Sequence, residues 1–455
     1  MKGSNHCEAM KKLFGTSGVR GVVGREITPE MFVKLGKSLS SHLGNSGNVV
    51  VGRDPRVSSE MLESALISGL LSGGCDVKRV GMVPTPIVSF AVERLGAKTG
   101  AMITASHNPP EYNGVKFWDS QGWAYSPEAE EKIEKIYFGE RWSPSEWNAI
   151  GRVEEVDVVQ EYLEKIKEHV EIEGEHTVVV DCGNGATSNI TPVLLRELGC
   201  KVIGLNCQAD GRFPGRGLEP TEANLKDLCA TVRGVGADLG IAHDGDGDRV
   251  VAVDEKGNVI SGDELLAVIA AEEIKEGDVV ATTVDASRVV DDAVGKKGGK
   301  VVRCGVGDVN VAVMIKNRGA VFGGEPCGAW IFPRISHAPD GPLGAAKILE
   351  MTGREKISEI VKDLPKYWMV RRKIPCQREI VERAMKAVEE RLAEQVSTTK
   401  ILRVDGVRVE TDEGWVLVRP SGTEPCIRIT AEGTTTKAAE SLADVAGKIL
   451  AEAVK

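Results

Sequence analysis

One order of parts is written three times along this chain, and that repetition constrains the fold more than any other feature. A β-rich run leads into a polar turn at Val49-Val50-Val51-Gly52-Arg53-Asp54, at Val178-Val179-Val180-Asp181-Cys182-Gly183 and at Val279-Val280-Ala281-Thr282-Thr283-Val284-Asp285. Helix-like sequence follows each. Then come a glycine and a second apolar strand: Gly74-Cys75-Asp76-Val77, Gly199-Cys200-Lys201-Val202-Ile203 and Gly299-Lys300-Val301-Val302. A second helical stretch closes each time on Gly-Ala (96–97, 236–237, 319–320), ahead of a third short strand. That strand runs into a polar loop: TASHNP at 104–109, DGDGDR at 244–249 and GEPCG at 324–328.

Strands alternating with helices imply βαβ units, parallel sheets and right-handed crossovers. Ligands of such sheets sit beyond the carboxyl ends of the strands, where all three loops fall. The tail differs. An amphipathic helix over Arg378–Gln395 precedes alternating strands at 407–411 and 415–418, a loop RPSGTEP at 419–425, a strand at 426–430 and a final helix from Lys437. The expected fold class is therefore α/β: three related βαβ-type domains with mixed, mainly parallel sheets plus a C-terminal α+β domain, arranged around one central cleft. Short connections at 141–151 and 254–262 leave little tether for independent units, and Lys362–Pro375, with prolines at 365 and 375 and three basic residues at 371–373, reads as a hinge.

Composition narrows the function. A length of 455 residues suits three or four compact units. Hydrophobic residues at 42% and charged residues at 27% argue against a disordered or fibrous chain. The net charge of −10 disfavours nucleic acid or an anionic membrane as the main partner. The longest apolar run, Leu265–Ala271, is far too short to span a bilayer, so a cytoplasmic location is expected. None of the ten cysteines forms a C-x-x-C pair, which removes the usual zinc and dithiol signatures.

Asp244, Asp246 and Asp248 alternate immediately after the apolar run 239–242, a spacing that places three carboxylates around one hard divalent cation. An EF-hand would put Glu255 at its last ligand position, but Arg249 stands where its glycine belongs and a strand precedes the loop. Ser106 beside His107 is either a nucleophile or a turn serine ahead of two prolines, and the loop alone favours the turn. Arg419, Ser421, Gly422 and Thr423 combine a guanidinium, two hydroxyls and a glycine turn, the parts of a phosphate cradle, with Arg428 able to add charge from the next strand. Glu325, among Gly323, Gly324 and Gly328, would bind sugar hydroxyls or cap a helix. No G-x-S-x-G, G-x-G-x-x-G or P-loop string occurs.

In this order the loops resemble the α-D-phosphohexomutase family, the phosphoglucomutase, phosphomannomutase and phosphoglucosamine mutase enzymes. The resemblance rests on FGTSGVRG at 14–21, TASHNPPEYNGVK at 104–116, DGDGDR, GEPCG and RPSGTEP, and spans nearly the whole chain. It implies four domains, at 1–150 (phosphoserine loop), 151–256 (metal loop), 257–368 (sugar loop) and 369–455 (phosphate loop). It implies that Ser106 carries a phosphoryl group bridged by one Mg²⁺ per chain to Asp244, Asp246 and Asp248, with Arg20 and Arg249 supplying positive charge. The phosphoryl would pass to a hexose or hexosamine monophosphate, giving a 1,6-bisphosphate that returns its other phosphoryl to Ser106. The tail loop would hold the idle phosphate, Glu325 the sugar hydroxyls, and Lys116 would help move the hydroxyl proton. Thr85, between Pro84 and Pro86, His107 and Cys327 would line the substrate site.

One departure stands out: where many bacterial members read Gly-Glu-x-Ser-Gly-His, this chain has Cys327 and Ala329. His337 is the candidate replacement for the missing acid/base. The strings GEPCGAWIFP and HAPDG resemble the archaeal phosphoglucosamine mutase branch, which favours glucosamine phosphate as substrate. The alternatives are a mutase of neutral hexose phosphates, an Mg²⁺ phosphatase with Asp244 as nucleophile, and a non-catalytic sugar-phosphate sensor. A sugar phosphate is the expected partner, and the chain is expected to be a monomer or homodimer.

Overall fold

The computed structural model describes residues 12–15, 17–421 and 425–453. They build four sheets. In the first, the strands lie in the order Val19–Val22, Tyr112–Trp118, Thr99–Ile103, Asn48–Arg53, Asp76–Met82, Val153–Glu155. The second runs Val250–Val253, Leu239–His243, Thr177–Asp181, Lys201–Leu205, and the third Lys300–Cys304, Val279–Thr283, Phe322–Gly324, Trp330–Ile331.

The three repeats share one arrangement. The first strand of each lies between the second and third, parallel to both. A fourth strand turns back antiparallel beside the third. The motif loops therefore sit in a β-hairpin between the third and fourth strands, not in a strand-to-helix connection. Central strands such as Val178–Val180 are fully buried, as sheets covered on both faces by crossover helices require. The recurring Gly-Ala also has a backbone cause: Gly96, Gly236 and Gly319 adopt φ of 60°, 65° and 63°, the left-handed turn that ends a helix and that glycine takes without Cβ strain.

The repeats are not independent. One apolar core joins Val50 and Met102 of the first repeat to Val180 and Ile241 of the second and to Leu265, Phe322 and Leu343 of the third. This shared interior fixes the three loop-bearing sheet ends relative to one another.

The tail is a five-stranded antiparallel sheet in the order Trp368–Pro375, Cys426–Gly433, Gly414–Pro420, Val407–Thr411, Thr398–Leu402, with helices Arg378–Gln395 and Thr436–Ala453 packed on it. Of the segment 362–375 expected as a hinge, the part from 368 onward is strand instead. Residues 368–375 pair along their whole length with Cys426–Gly433. As an edge strand this segment tolerates a terminal proline and exposed basic residues, which in the sequence imitate a linker. The tail docks on the third repeat through Arg408, whose Nη1 donates to the carbonyls of Val284 (2.7 Å) and Ala286 (2.9 Å) while its guanidinium stacks 3.8 Å from the Trp415 ring. Among the described residues no helix is long and apolar enough to cross a membrane.

Candidate active site

The hairpin loops converge on a cleft of about 580 Å³ lined by Ser17, Arg20, Ser106 and His107 from the first repeat, Asp248 and Arg249 from the second, Asp285, Asp308, Glu325 and Cys327 from the third, and Arg371, Arg419 and Arg428 from the tail. The volume suits a phosphorylated monosaccharide.

Ser106 and the aspartates meet across two repeats. Ser106 Oγ donates to Asp244 Oδ2 at 2.8 Å, although the two residues are far apart in sequence. The loops press together so closely that a Cβ at Gly245 would lie 2.6 Å from the Ser106 carbonyl oxygen, so that position accepts only glycine. Asp244 also folds its own loop, with Oδ1 accepting from the backbone N–H of Gly247 (3.1 Å) and Arg249 (3.3 Å).

One oxygen from each of Asp244, Asp246 and Asp248 lies within 4.8 Å of the others, all three residues buried. Burial and the neighbouring Asp248 and Asp246 charges push the Asp244 carboxyl well up. Burial acts the same way on Asp246, but the Lys116 charge and a Thr85 hydrogen bond outweigh it and hold that carboxyl low. Asp246 Oδ1 and Asp248 Oδ1 are buried with no hydrogen-bond partner, the condition a cation would relieve. The donor set, all hard oxygen, fits a magnesium-class ion.

Lys116 Nζ reaches Asp246 Oδ2 at 2.9 Å and Asp248 Oδ2 at 2.5 Å. Burial alone would lower its pKa, yet the two carboxylates raise it, so the lysine is a fixed positive charge here. Thr85 is 1% exposed and donates to Asp246 Oδ2 at 2.7 Å. It buttresses a carboxylate instead of facing substrate, which corrects the expectation from its sequence. His107 Nδ1 lies 3.3 Å from Ser106 Oγ, and burial with the Arg249 and Arg20 charges pulls its pKa down to about 3, so the ring is neutral. Arg20 holds the loop through Asn108 Oδ1 (3.3 Å) and Ser17 Oγ (3.2 Å). Arg249 Nε lies 3.9 Å from both Asp244 and Asp248.

On the sugar side, Glu325 Oε2 accepts from the Gly307 N–H at 2.9 Å. Burial, then Asp308 and Asp285, raise its pKa to about 8. Burial pushes the Cys327 thiol up to about 12, keeping it a neutral cleft-lining group. His337 is not in the cleft: its ring stacks on Trp123 at 4.2 Å and its Nδ1 contacts the Gln121 carbonyl at 2.6 Å. A tight turn bridging Phe332 to Ser336 carries it to the contact between the first and third repeats, so it does not replace the missing acid/base. In the tail, Arg419 Nη1 pairs with Asp405 and Ser421 N–H donates to the Cys426 carbonyl. Gly422 and Thr423 fall outside the described residues.

Sequence reading missed Asp285, Asp308 and Arg371 in the cleft and the Asp54–Arg56 pair beneath it. Asp285 had a signal, since it ends the third copy of the strand-to-turn motif.

Four family models match the chain in succession: phosphoglucomutase/phosphomannomutase alpha/beta/alpha domain I at residues 11–143, domain II at 160–257, domain III at 261–367 and the C-terminal domain at 370–446. Fold and site thus define a phosphosugar mutase. The chain belongs to the phosphoglucomutase/phosphomannomutase family. It is 49% identical over 431 residues to a probable phosphoglucosamine mutase of Methanothermobacter thermautotrophicus, covering 94% of this chain and 95% of that one. A probable phosphoglucosamine mutase of Pyrococcus abyssi is 46% identical over 450 residues, covering 98% and 99%. Among solved structures, a phosphoglucomutase/phosphomannomutase family protein from Burkholderia thailandensis superposes with a TM-score of 0.89 at 29% identity, covering 97% of each chain.

Proposed function

We propose that this mutase interconverts glucosamine 6-phosphate and glucosamine 1-phosphate in the cytoplasm, with Ser106 as phosphoryl carrier. The observation that carries the reading is the 2.8 Å contact of Ser106 Oγ with the aspartate cluster, on the wall of a cleft that Arg419 and Arg428 also line. Asp244, Asp246, Asp248 and the phosphorylated Ser106 would hold one Mg²⁺, which supplies charge neutralisation at the phosphoryl group.

The chain's own groups then account for the exchange. A free sugar hydroxyl attacks the phosphorus on Ser106, the bond to Oγ breaks, and a 1,6-bisphosphate forms. After the sugar reorients, Oγ attacks the other phosphorus and releases the isomer. Arg20, Arg249 and Lys116 neutralise the group in transit, a role suited to phosphoryl transfer, where positioning and charge do most of the work. The two carboxylates keep Lys116 cationic, so it contributes charge, while the proton released by the attacking sugar hydroxyl is matched by the one the departing Ser106 oxygen takes up. In both orientations Arg419, Ser421, Gly422 and Thr423, with Arg428, would hold the phosphate that is not reacting, and Glu325 the ring hydroxyls between, with His107 and Cys327 flanking the sugar.

Amino-sugar preference is supported by Asp285 and Asp308 in the cleft wall, whose charges suit an ammonium group better than a hydroxyl, and by the names of the relatives. Coupled assays with glucosamine 1-phosphate, glucose 1-phosphate and mannose 1-phosphate test it: the amino sugar has the highest kcat/KM, and ranking last would overturn the assignment. A phosphatase would instead carry a labile acyl phosphate on Asp244, which mass spectrometry distinguishes from a stable Ser106 ester.

A further inference from the structure

A single buried guanidinium spends all five of its N–H donors beneath the Ser106 loop. Arg56, 1% exposed, donates from Nε to Asp54 Oδ2 (2.9 Å), from Nη1 to the carbonyls of Pro109 (2.6 Å) and Tyr112 (2.9 Å), and from Nη2 to those of Ser106 (2.8 Å) and Asn108 (2.7 Å). The loop is curled around one side chain, with four of its carbonyls turned inward.

Ser106 needs such a hold. Its φ of +50° is in the left-handed region, which a serine occupies only when its surroundings fix it. Its N–H donates to Thr104 Oγ1 (2.8 Å), and that hydroxyl donates to Asp54 Oδ2 (2.8 Å), the same oxygen that takes Arg56 Nε. Both peptide groups of Ser106 are thereby tied to one ion pair, leaving Oγ aimed at Asp244. The clasp also registers the loop against the second repeat: the Phe213 ring lies 5.2 Å from the guanidinium, and the backbones of Arg56 and Gly211 form a β-bridge.

We propose that Arg56 is the positioning residue of the phosphoryl carrier, setting the distance between Ser106 Oγ and the aspartate cluster without touching substrate. The second repeat carries a counterpart, which argues for a device over an accident. Arg216 donates from Nε to Asp181 Oδ2 (2.9 Å) and from Nη2 to the carbonyl of His243 (2.5 Å), the residue that leads into the metal loop. Lysine cannot replace either arginine, because a point charge with three donors does not span a planar fork.

The inference rests on Ser106 as carrier, and the test separates the two. In Arg56→Lys and Arg56→Ala, kcat falls about 100-fold, as expected for a displaced reacting atom, while the Kd for sugar 6-phosphate by calorimetry stays within about threefold. Guanidinium ion at millimolar concentration restores part of kcat in Arg56→Ala and none in Arg56→Lys, whose side chain fills the site. Should both variants fail to fold, Asp54→Asn, which sets an amide N–H against existing donors, reads the same split. A folded variant with kcat near wild type, or with kcat and Kd worsened by the same factor, overturns the clasp. An active Ser106→Ala would overturn the phosphoserine reading itself, whereas an inert Ser106→Ala beside unaffected Arg56 variants overturns the clasp alone.

Discussion

At the Ser106 end of the cleft the polar groups are already paired with one another: the hydroxyl with Asp244, Lys116 with Asp246 and Asp248, Thr85 with Asp246. The Lys116 side chain is 6% exposed and that of Asp246 fully buried. Where the tail lines the cleft, Arg419 rests on Asp405 with both partly open to solvent. The first arrangement spends folding energy on fixed charge, where phosphoryl transfer needs no reorganisation at the moment of reaction. The second leaves its charge nearer solvent, which would suit the proposed cradle, since such a site has to take either phosphate of the sugar and release it again.

The two regions therefore fail differently when altered. Ser106→Ala removes the proposed carrier and is expected to lower kcat by at least about 10⁴-fold in a coupled assay, with no phosphate on the protein by mass spectrometry. Chelation of divalent ions lowers kcat by about 10³-fold, and Mg²⁺ restores it, because the aspartate cluster otherwise lacks its counter-charge. Arg419→Ala acts on binding: KM rises about 10- to 100-fold, the worth of a charge-assisted contact, while kcat falls far less. A kcat collapse there would erase the distinction. Asp308→Asn lowers the preference for glucosamine 1-phosphate over glucose 1-phosphate by about fivefold, in line with a partly exposed charge.

The last effect is on stability. Burial, with Asp308 and Asp285, raises Glu325 from its ordinary 4.5 to about 8. The folded protein therefore retains a proton that the unfolded chain has lost, so this group's contribution to stability declines as pH rises through that interval. Glu325→Gln does not titrate. Its Tm relative to wild type climbs across the same interval and levels off above it, as scanning calorimetry will show.

The sequence carried the loops well, because glycine, proline and alternating aspartate mark turns and ion sites locally. Ser106 and the three aspartates come together as their motifs imply. What it hid was non-local. Trp330–Ile331 is too short to show a period, and Tyr112–Trp118 is buried almost throughout, so neither alternates like a half-exposed strand. Trp368–Pro375 passes for a linker because an edge strand is as polar as one. His337 looked available because proximity to the sugar loop in sequence says nothing of the turn that carries it away. Asp54 ends the first copy of the strand-to-turn motif, but nothing local couples it to Arg56, since a buried ion pair in a loop has no periodicity and the carbonyls Arg56 holds lie some fifty residues on.

The hairpin setting of the motif loops bears on how such an enzyme diversifies. Gly324 and Trp330 face each other across the ladder, and Glu325 N–H closes onto the Ala329 carbonyl at 3.0 Å, so the segment 325–329 leaves and rejoins the same sheet edge. The same segment is also tied to the second repeat, where the Gly328 carbonyl accepts from the Val250 N–H at 3.1 Å and Ala329 bridges Arg249, so a change in its sequence is felt at the neighbouring aspartate loop and the two cannot drift apart freely.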